Sequence, residues 1–227
     1  EIVIGNNVLA HVADLNGFVA GVALLLQDNG VAVFEVPHVA ELVERCAFDT
    51  IYHEHLCYFS LTSLCWLFLR HGLEVFDVEQ LPTHGGSLRI YARRGRNAYA
   101  QGAPLRLLQQ ERERWVTTFG YYAGFAERVA AVRDGLLAFL RAKKAEGKRV
   151  VAYGAAAKGG TLLNYCGVGT DLLEYVVDRS PAKQGRWMTG SRLPIYAPER
   201  LLVDQPDYAL LLTWNFEREI LEQQAEY

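Results

Sequence analysis

The run Val31-Ala32-Val33-Phe34-Glu35-Val36 constrains the fold of this chain more than any other feature. It is apolar apart from Glu35, rich in β-branched side chains, and stopped by Pro37. A strand of this composition suits burial on both faces, which means a sheet with helices on both sides. Its neighbours agree. Glu1–Gly5, with Ile2, Val3 and Ile4, reads as a strand. Asp14 caps a helix running to about Gln27, with Phe18, Val22 and Leu25 at spacings of four and three, and Asn29-Gly30 stops it. A short helix with Val39, Leu42 and Val43 on one side follows Pro37. Leu61–His71 is a helix ended by Gly72, and Leu73–Leu81 and Ser87–Arg94 are strands joined by the loop Pro82-Thr83-His84-Gly85-Gly86. Strand, helix, strand, helix, helix and strand pair is the order of the second half of a doubly wound sheet closed by an antiparallel hairpin.

Gln101-Gly102-Ala103-Pro104 breaks the pattern, and Leu105 to Gly147 is helical, with Phe125, Val129, Val132, Leu136, Phe139 and Leu140 as an apolar stripe. A second α/β unit opens at Arg149: strand Val150–Tyr153, a glycine-containing loop Gly154–Gly160, helix Thr161–Cys166, strand Leu173–Val177 ending at Asp178, strand Tyr208–Trp214, and helix Phe216–Tyr227. The predicted class is therefore α/β, with boundaries at 1–97, 98–147 (a helical connection) and 148–227. A strand at the first residue, and a last helix with no return to the sheet, make both ends read as cut.

Bulk properties exclude several functions. The 227 residues carry a net charge of −3, without the clustered basic surface of a nucleic-acid binder. No apolar run approaches the roughly 20 residues of a membrane span, and no signal peptide is visible. Cys46, Cys57, Cys65 and Cys166 form no C-x-x-C pair. They read as thiols in a reducing compartment, the cytoplasm by default. Nothing sets the oligomeric state; a monomer is consistent.

Phe48-Asp49-Thr50-Ile51-Tyr52-His53-Glu54-His55-Leu56 is the sharpest chemical signal. Two histidines, a carboxylate and a phenol fall within four positions after a buried strand, and ligands of open α/β sheets bind beyond the carboxyl ends of strands. A histidine there is a natural general base. Three readings compete: a metal site using His53, His55 and Cys57, a solvated loop, or histidines satisfied in a core. The helical pattern H-E-x-x-H fails, because Cys57 stands where its second histidine belongs.

FDTIYHEHLCYFSL, with NNVLAHVADLNGFV before it and HGGSLRIYARRG after it, resembles the S-adenosylmethionine-dependent C-methyltransferases of nucleotide-linked deoxysugars. VVAYGAAAKGGTLLNYCG, YVVDRSPAKQGR and PDYALLLTWNF resemble the C-terminal domain of the same family. The resemblance implies the second half of a methyltransferase sheet at 1–97 and a truncated, Rossmann-like substrate domain at 148–227. The family's zinc module and the glycine loop of the methyltransferase fold have no counterpart here, so zinc is expected only in a preceding module. The piece by itself is expected to be inactive and not to bind S-adenosylmethionine.

By position, the resemblance makes His55 the base, Tyr52 and Glu54 its active-site partners, and His11 a histidine facing the sugar. Asn7 falls to the cofactor. His84-Gly85-Gly86-Ser87 is a turn by composition and, by resemblance, a wall of the substrate pocket. Gly154, Lys158 and Gly159, with Arg179 and Lys183, are expected to contact the diphosphate of a dTDP-linked 4-keto deoxysugar. By residue type alone, His11 reads as packing at a helix N-terminus, and Gly154–Gly160 as a tight turn or a weak phosphate loop, without the Gly-Lys-Ser/Thr of a Walker loop. One rival is an NAD(P)-dependent oxidoreductase or epimerase using that loop, with Asp178 on the ribose. Another is a non-catalytic nucleotide-sugar-binding module.

Overall fold

A computed structural model describes residues 1–95 and 101–227; the expected boundary at 97/98 lies outside the described residues. Two compact units emerge. The first is Glu1–Ala47 with His53–Phe125, and the second is Phe48–Tyr52 with Ala126–Tyr227.

The first unit is built on a four-stranded sheet. Strand β1 (Ile2–Asn6) runs parallel to β2 (Val31–Pro37), β2 pairs antiparallel with β4 (Ser87–Arg94), and β4 with β3 (Leu73–Leu81), giving the order β1-β2-β4-β3. The hairpin thus places its second strand inside and its first at the edge. Ala32, Phe34 and Val36 alternate along β2 with partners Leu88, Ile90 and Ala92 on β4, and all six are fully buried in one core. The short helix α2 (Val39–Glu44) follows β2, and the core is covered by α1 (Leu15–Leu25), α3 (Leu61–Arg70) and α4 (Gly102–Glu113) through Val19, Val22, Leu61, Leu64, Phe68 and Leu107. The opposite face at this end of the sheet is polar. Arg89 reaches both Glu35 (3.1 Å) and Glu79 (3.2 Å), and Arg93 reaches Glu74 (2.8 Å). The one polar residue of the β2 run, Glu35, is thus accounted for by Arg89 and by Thr83 Oγ1 at 3.1 Å.

Helix ends follow their chemistry. Asp14 accepts the Gly17 N–H at 2.9 Å, and Ser60 and Ser63 form a reciprocal cap on α3. Gly72, with φ of +74°, ends α3 as expected. The stretch 105–147 is not one helix: α4 gives way to α5 (Phe119–Tyr122) and α6 (Phe125–Ala145), with Trp115 at φ +58° in the turn. Neither Gly nor Pro marks the break at Trp115, whereas Gly124 stands between α5 and α6.

In the second unit, β5 (Val150–Tyr153), β6 (Val176–Val177), β7 (Ile195–Tyr196) and β8 (Tyr208–Leu211) form an all-parallel sheet in the order β7-β6-β5-β8. Val150 and Ala152 face one buried cluster, Val151 and Tyr153 another, so both faces are covered. Helix α7 spans Ala157–Cys166, starting four residues before the expected Thr161. Lys158, Gly159 and Gly160 therefore belong to its first turn and not to a loop. The backbone accounts for this: Gly160 N–H donates to Ala156 O at 3.1 Å. Sequence patterning missed β7 and α8 (Arg200–Asp204), which are two and five residues long, too short to show a period. The last helix, α9, covers Glu217–Gln223. No described helix is long and apolar enough to cross a membrane.

Candidate active site

At the carboxyl end of β1 the chain turns through Asn7, whose φ of 54° is left-handed and whose N–H donates to Glu35 O at 2.8 Å. Asparagine tolerates this conformation better than most residues. A single 3-10 turn follows, Leu9–His11, with Leu9 and Ala10 buried and His11 exposed. The Ala10 carbonyl accepts the Leu56 N–H at 2.8 Å and the Cys57 N–H at 3.3 Å, so the chain after His55 is tied down beside His11.

His11 Nδ1 lies 2.7 Å from the carbonyl oxygen of Glu54. A carbonyl only accepts, so Nδ1 carries the proton, and in the neutral ring the lone pair sits on Nε2. The His11 and His55 rings stand 4.9 Å apart at 56°, and Tyr58 meets His55 edge-on at 6.4 Å. The two histidines of the His-x-His pair are therefore not equivalent. His55 is half-buried against His11, whereas the His53 side chain is 88% exposed and 4.0 Å from the Glu54 carboxylate. Glu54 contributes its backbone carbonyl to His11, and its carboxylate is largely in solvent. Tyr52 is half-buried and counts with the second unit. Among the described residues no three His, Cys, Asp or Glu side chains converge as metal ligands.

The turn before β4 is strongly shaped. His84 (φ 54°), Gly85 (φ 88°) and Gly86 (φ 126°) are successive left-handed residues. A Cβ on Gly86 would stand 2.6 Å from the Glu41 Cβ. The Gly86 carbonyl accepts the His38 N–H at 3.0 Å. His84 is exposed, while the buried Ser87 hydroxyl donates to Thr83 O at 3.0 Å and is committed to the loop.

In the second unit, strand order reverses between β5 and β8, the switch point at which open α/β sheets bind ligands. An open cleft of about 200 Å³ lies there, lined among others by Gly154, Asp178, Arg179, Thr213 and Phe216. Gly154, at φ 96°, has no room for a side chain: a Cβ would meet Thr213 Oγ1 at 2.6 Å. A Cβ on Gly159 would meet Leu212 Cβ at 2.9 Å. Asp178 is used internally, accepting from Ala155 N–H (2.7 Å), Ser180 N–H (2.8 Å) and Lys183 Nζ (3.2 Å). This takes up the carboxylate that an NAD ribose would need. Arg179 donates to Gln223 at 2.8 Å. The Lys158 ammonium is turned inward, hydrogen-bonded to Asn215 Oδ1 and 4.6 Å from the Trp214 ring centroid.

Sequence reasoning passed over the buried polar groups around these residues. Asp49, buried on the 3-10 turn Phe48–Thr50, accepts the Trp214 indole N–H at 2.8 Å. His38 and Glu111 pair inside the first core. Asp49 and Trp214 lie within the motifs FDTIYHEHLCYFSL and PDYALLLTWNF without a role there, and no period or motif marks His38 or Glu111.

One unit holds a parallel sheet with a switch point, and the other a histidine pair beyond the carboxyl end of β1, a Rossmann-like α/β architecture. A family model described as "C-methyltransferase C-terminal domain" matches residues 82–227, and one described as "Methyltransferase domain" matches residues 1–78. The chain belongs to the C-methyltransferase family. It is 39% identical over 228 residues to C-methyltransferase NovU of Streptomyces niveus, an alignment covering 100% of this chain and 54% of that relative. The chain thus spans about half the length of the curated relative it matches.

The methyltransferase families imply S-adenosylmethionine as methyl donor. Asn7 fits such a ligand: its Oδ1 is buried, and no described residue hydrogen-bonds to it. It is a buried, unpaired acceptor just beyond the carboxyl end of β1.

Proposed function

We propose that this chain serves the C-methylation of a nucleotide-linked 4-keto deoxysugar, with dTDP as the nucleotide. The observation that carries the reading is the His11–Glu54 contact, which sets His11 and His55 side by side at the carboxyl end of β1. The substrate's ketone acidifies the proton on the adjacent carbon. His55 removes that proton, and the electron pair moves onto the ketone oxygen as an enolate. Tyr52 donates a hydrogen bond to the enolate oxygen, or His11 does so from Nε2 in its protonated form, since Nδ1–H is committed to Glu54 O, a contribution of about 3 kcal/mol in other enzymes. S-adenosylmethionine, when bound, would supply an electrophilic methyl group whose bond to sulfur breaks as the bond to carbon forms, and Asn7 would hold that donor through its unpaired Oδ1.

Nucleotide recognition is assigned to the second unit. First-turn amides of a helix lack intrahelical partners and accept anions. The backbone N–H groups of Ala157, Lys158 and Gly159 take that part for the diphosphate, with Gly154 and Arg179 in the cleft and Lys183 beyond it. His84, Gly85, Gly86 and Ser87 shape the sugar side. Within the intact protein, methyl transfer from labelled S-adenosylmethionine to a dTDP-4-keto deoxysugar tests the reading. Uptake of solvent deuterium beside the ketone without the methyl donor should occur in the wild type and vanish in His55→Asn. Its persistence in that variant would remove His55 as the base.

A further inference from the structure

Asp49 stands three residues before Tyr52, and its side-chain partners Trp214 and Lys158 belong, like it, to the second unit. It is 3% exposed on the single turn Phe48–Thr50, which the Ile51 N–H to Phe48 O bond closes at 2.9 Å. Phe48, also buried, packs its ring on Tyr165 of α7 at 5.1 Å. Trp214 Nε1 donates to Asp49 Oδ2 at 2.8 Å. Lys158 lies over the Trp214 ring and is hydrogen-bonded to Asn215. The residues flanking this segment on either side count with the first unit, while these contacts tie the stretch to Trp214 and α7.

Charge explains why the set is kept together. Burial pushes the Asp49 carboxyl up, against the Trp214 hydrogen bond and the Lys158 charge. Burial pushes the Lys158 amine down, against the Asp49 charge. Each group makes the other's ionised form tolerable, and removing one leaves a buried charge without a counterpart. A cation over an indole that itself donates to a carboxylate forms one polarised chain, with both charges on the same ring system.

We propose that Asp49, Trp214 and Lys158 are positioning residues that hold the Tyr52-bearing segment, and that the Lys158 side chain serves this anchor and not the substrate's phosphates. The proposal rests on the reading of Tyr52 as an active-site group. Small misplacements of a reacting group cost up to about 100-fold in rate.

The test compares Asp49→Ala, Asp49→Asn, Trp214→Phe and Lys158→Met in the intact protein. Two readouts are taken: amide hydrogen exchange of Phe48–Tyr52 without ligands, and steady-state kinetics with S-adenosylmethionine and a dTDP-4-keto deoxysugar. Asp49→Ala and Trp214→Phe should speed exchange in that segment by about tenfold or more while core strands stay protected. The same two variants should lower kcat by about 10- to 100-fold with KM for the nucleotide sugar within about twofold. Asp49→Asn keeps an oxygen acceptor for the indole and should recover most of both losses. Lys158→Met should follow Trp214→Phe in kcat. Unchanged exchange in both Asp49→Ala and Trp214→Phe would overturn the anchor. A KM raised about tenfold by Lys158→Met, with exchange at the wild-type rate, would make Lys158 a phosphate ligand. Normal turnover in both Tyr52→Phe and His55→Asn would instead sink the catalytic reading, and the exchange data would still decide the anchor.

Discussion

The Glu111 carboxylate accepts a 2.9 Å hydrogen bond from His38 Nε2 across 73 residues of sequence, with both side chains essentially without solvent contact. It also accepts from the Leu61 N–H (2.6 Å), the Thr62 N–H (2.8 Å) and the Thr62 hydroxyl (2.6 Å). One carboxylate on α4 thus caps α3 and fixes the end of β2. Because α3 starts directly after the Tyr52–Tyr58 segment, the pair also sets where the chain leaves His55.

Glu111→Ala should cost about 3–5 kcal/mol, since it leaves His38 and the Leu61 N–H buried, and the Thr62 N–H part-buried, without an acceptor. Urea unfolding of the first unit's core measures it. A loss below about 1 kcal/mol would mean that the network relaxes around the gap.

The same carboxylate predicts an acid limb. Burial alone would push the Glu111 carboxyl up, but the hydrogen bonds from His38, Thr62 and Leu61 together hold it below its ordinary 4.5. A depressed carboxyl stabilises the fold fully above its unfolded value, and that stability is lost as pH falls through the folded value. Stability measured by denaturant midpoint should therefore fall as pH drops below about 4.5. In Glu111→Gln this slope should be shallower, and equal slopes would rule out Glu111 as its source.

His55→Asn should lower kcat by about 10²–10⁴-fold and leave substrate affinity nearly unchanged. His53→Ala, at a side chain 88% exposed, should stay within about twofold of wild type. A larger loss in His53→Ala than in His55→Asn would reverse the two histidines' roles.

Gly86→Ala should destabilise the first unit by about 1–3 kcal/mol, because φ is 126° and the added Cβ meets Glu41. A double variant with Glu41→Gly should recover the steric part but not the backbone part. Thermal unfolding of the three proteins separates the two.

The strands of the first unit were legible in the sequence because their information is local. Leu73–Leu81 and Ser87–Arg94 stand where apolar and β-branched patterning placed them, and Asp14 and Gly72 bound their helices. Burial on one face repeats every second residue in a strand, and a chain carries that pattern whatever its partners. The Tyr-His-Glu-His segment was visible as a concentration of reactive types. What the tertiary structure alone decided is which groups meet. It placed β4 between β2 and β3, and brought His11 to the Glu54 carbonyl over 43 residues and Asp49 to Trp214 over 165. It also turned Lys158 inward and showed that Ala157–Gly160 is helix. Those outcomes depend on the closure of distant segments around a shared core, where one buried polar group takes the partner that packing brings to it. No local period records that choice.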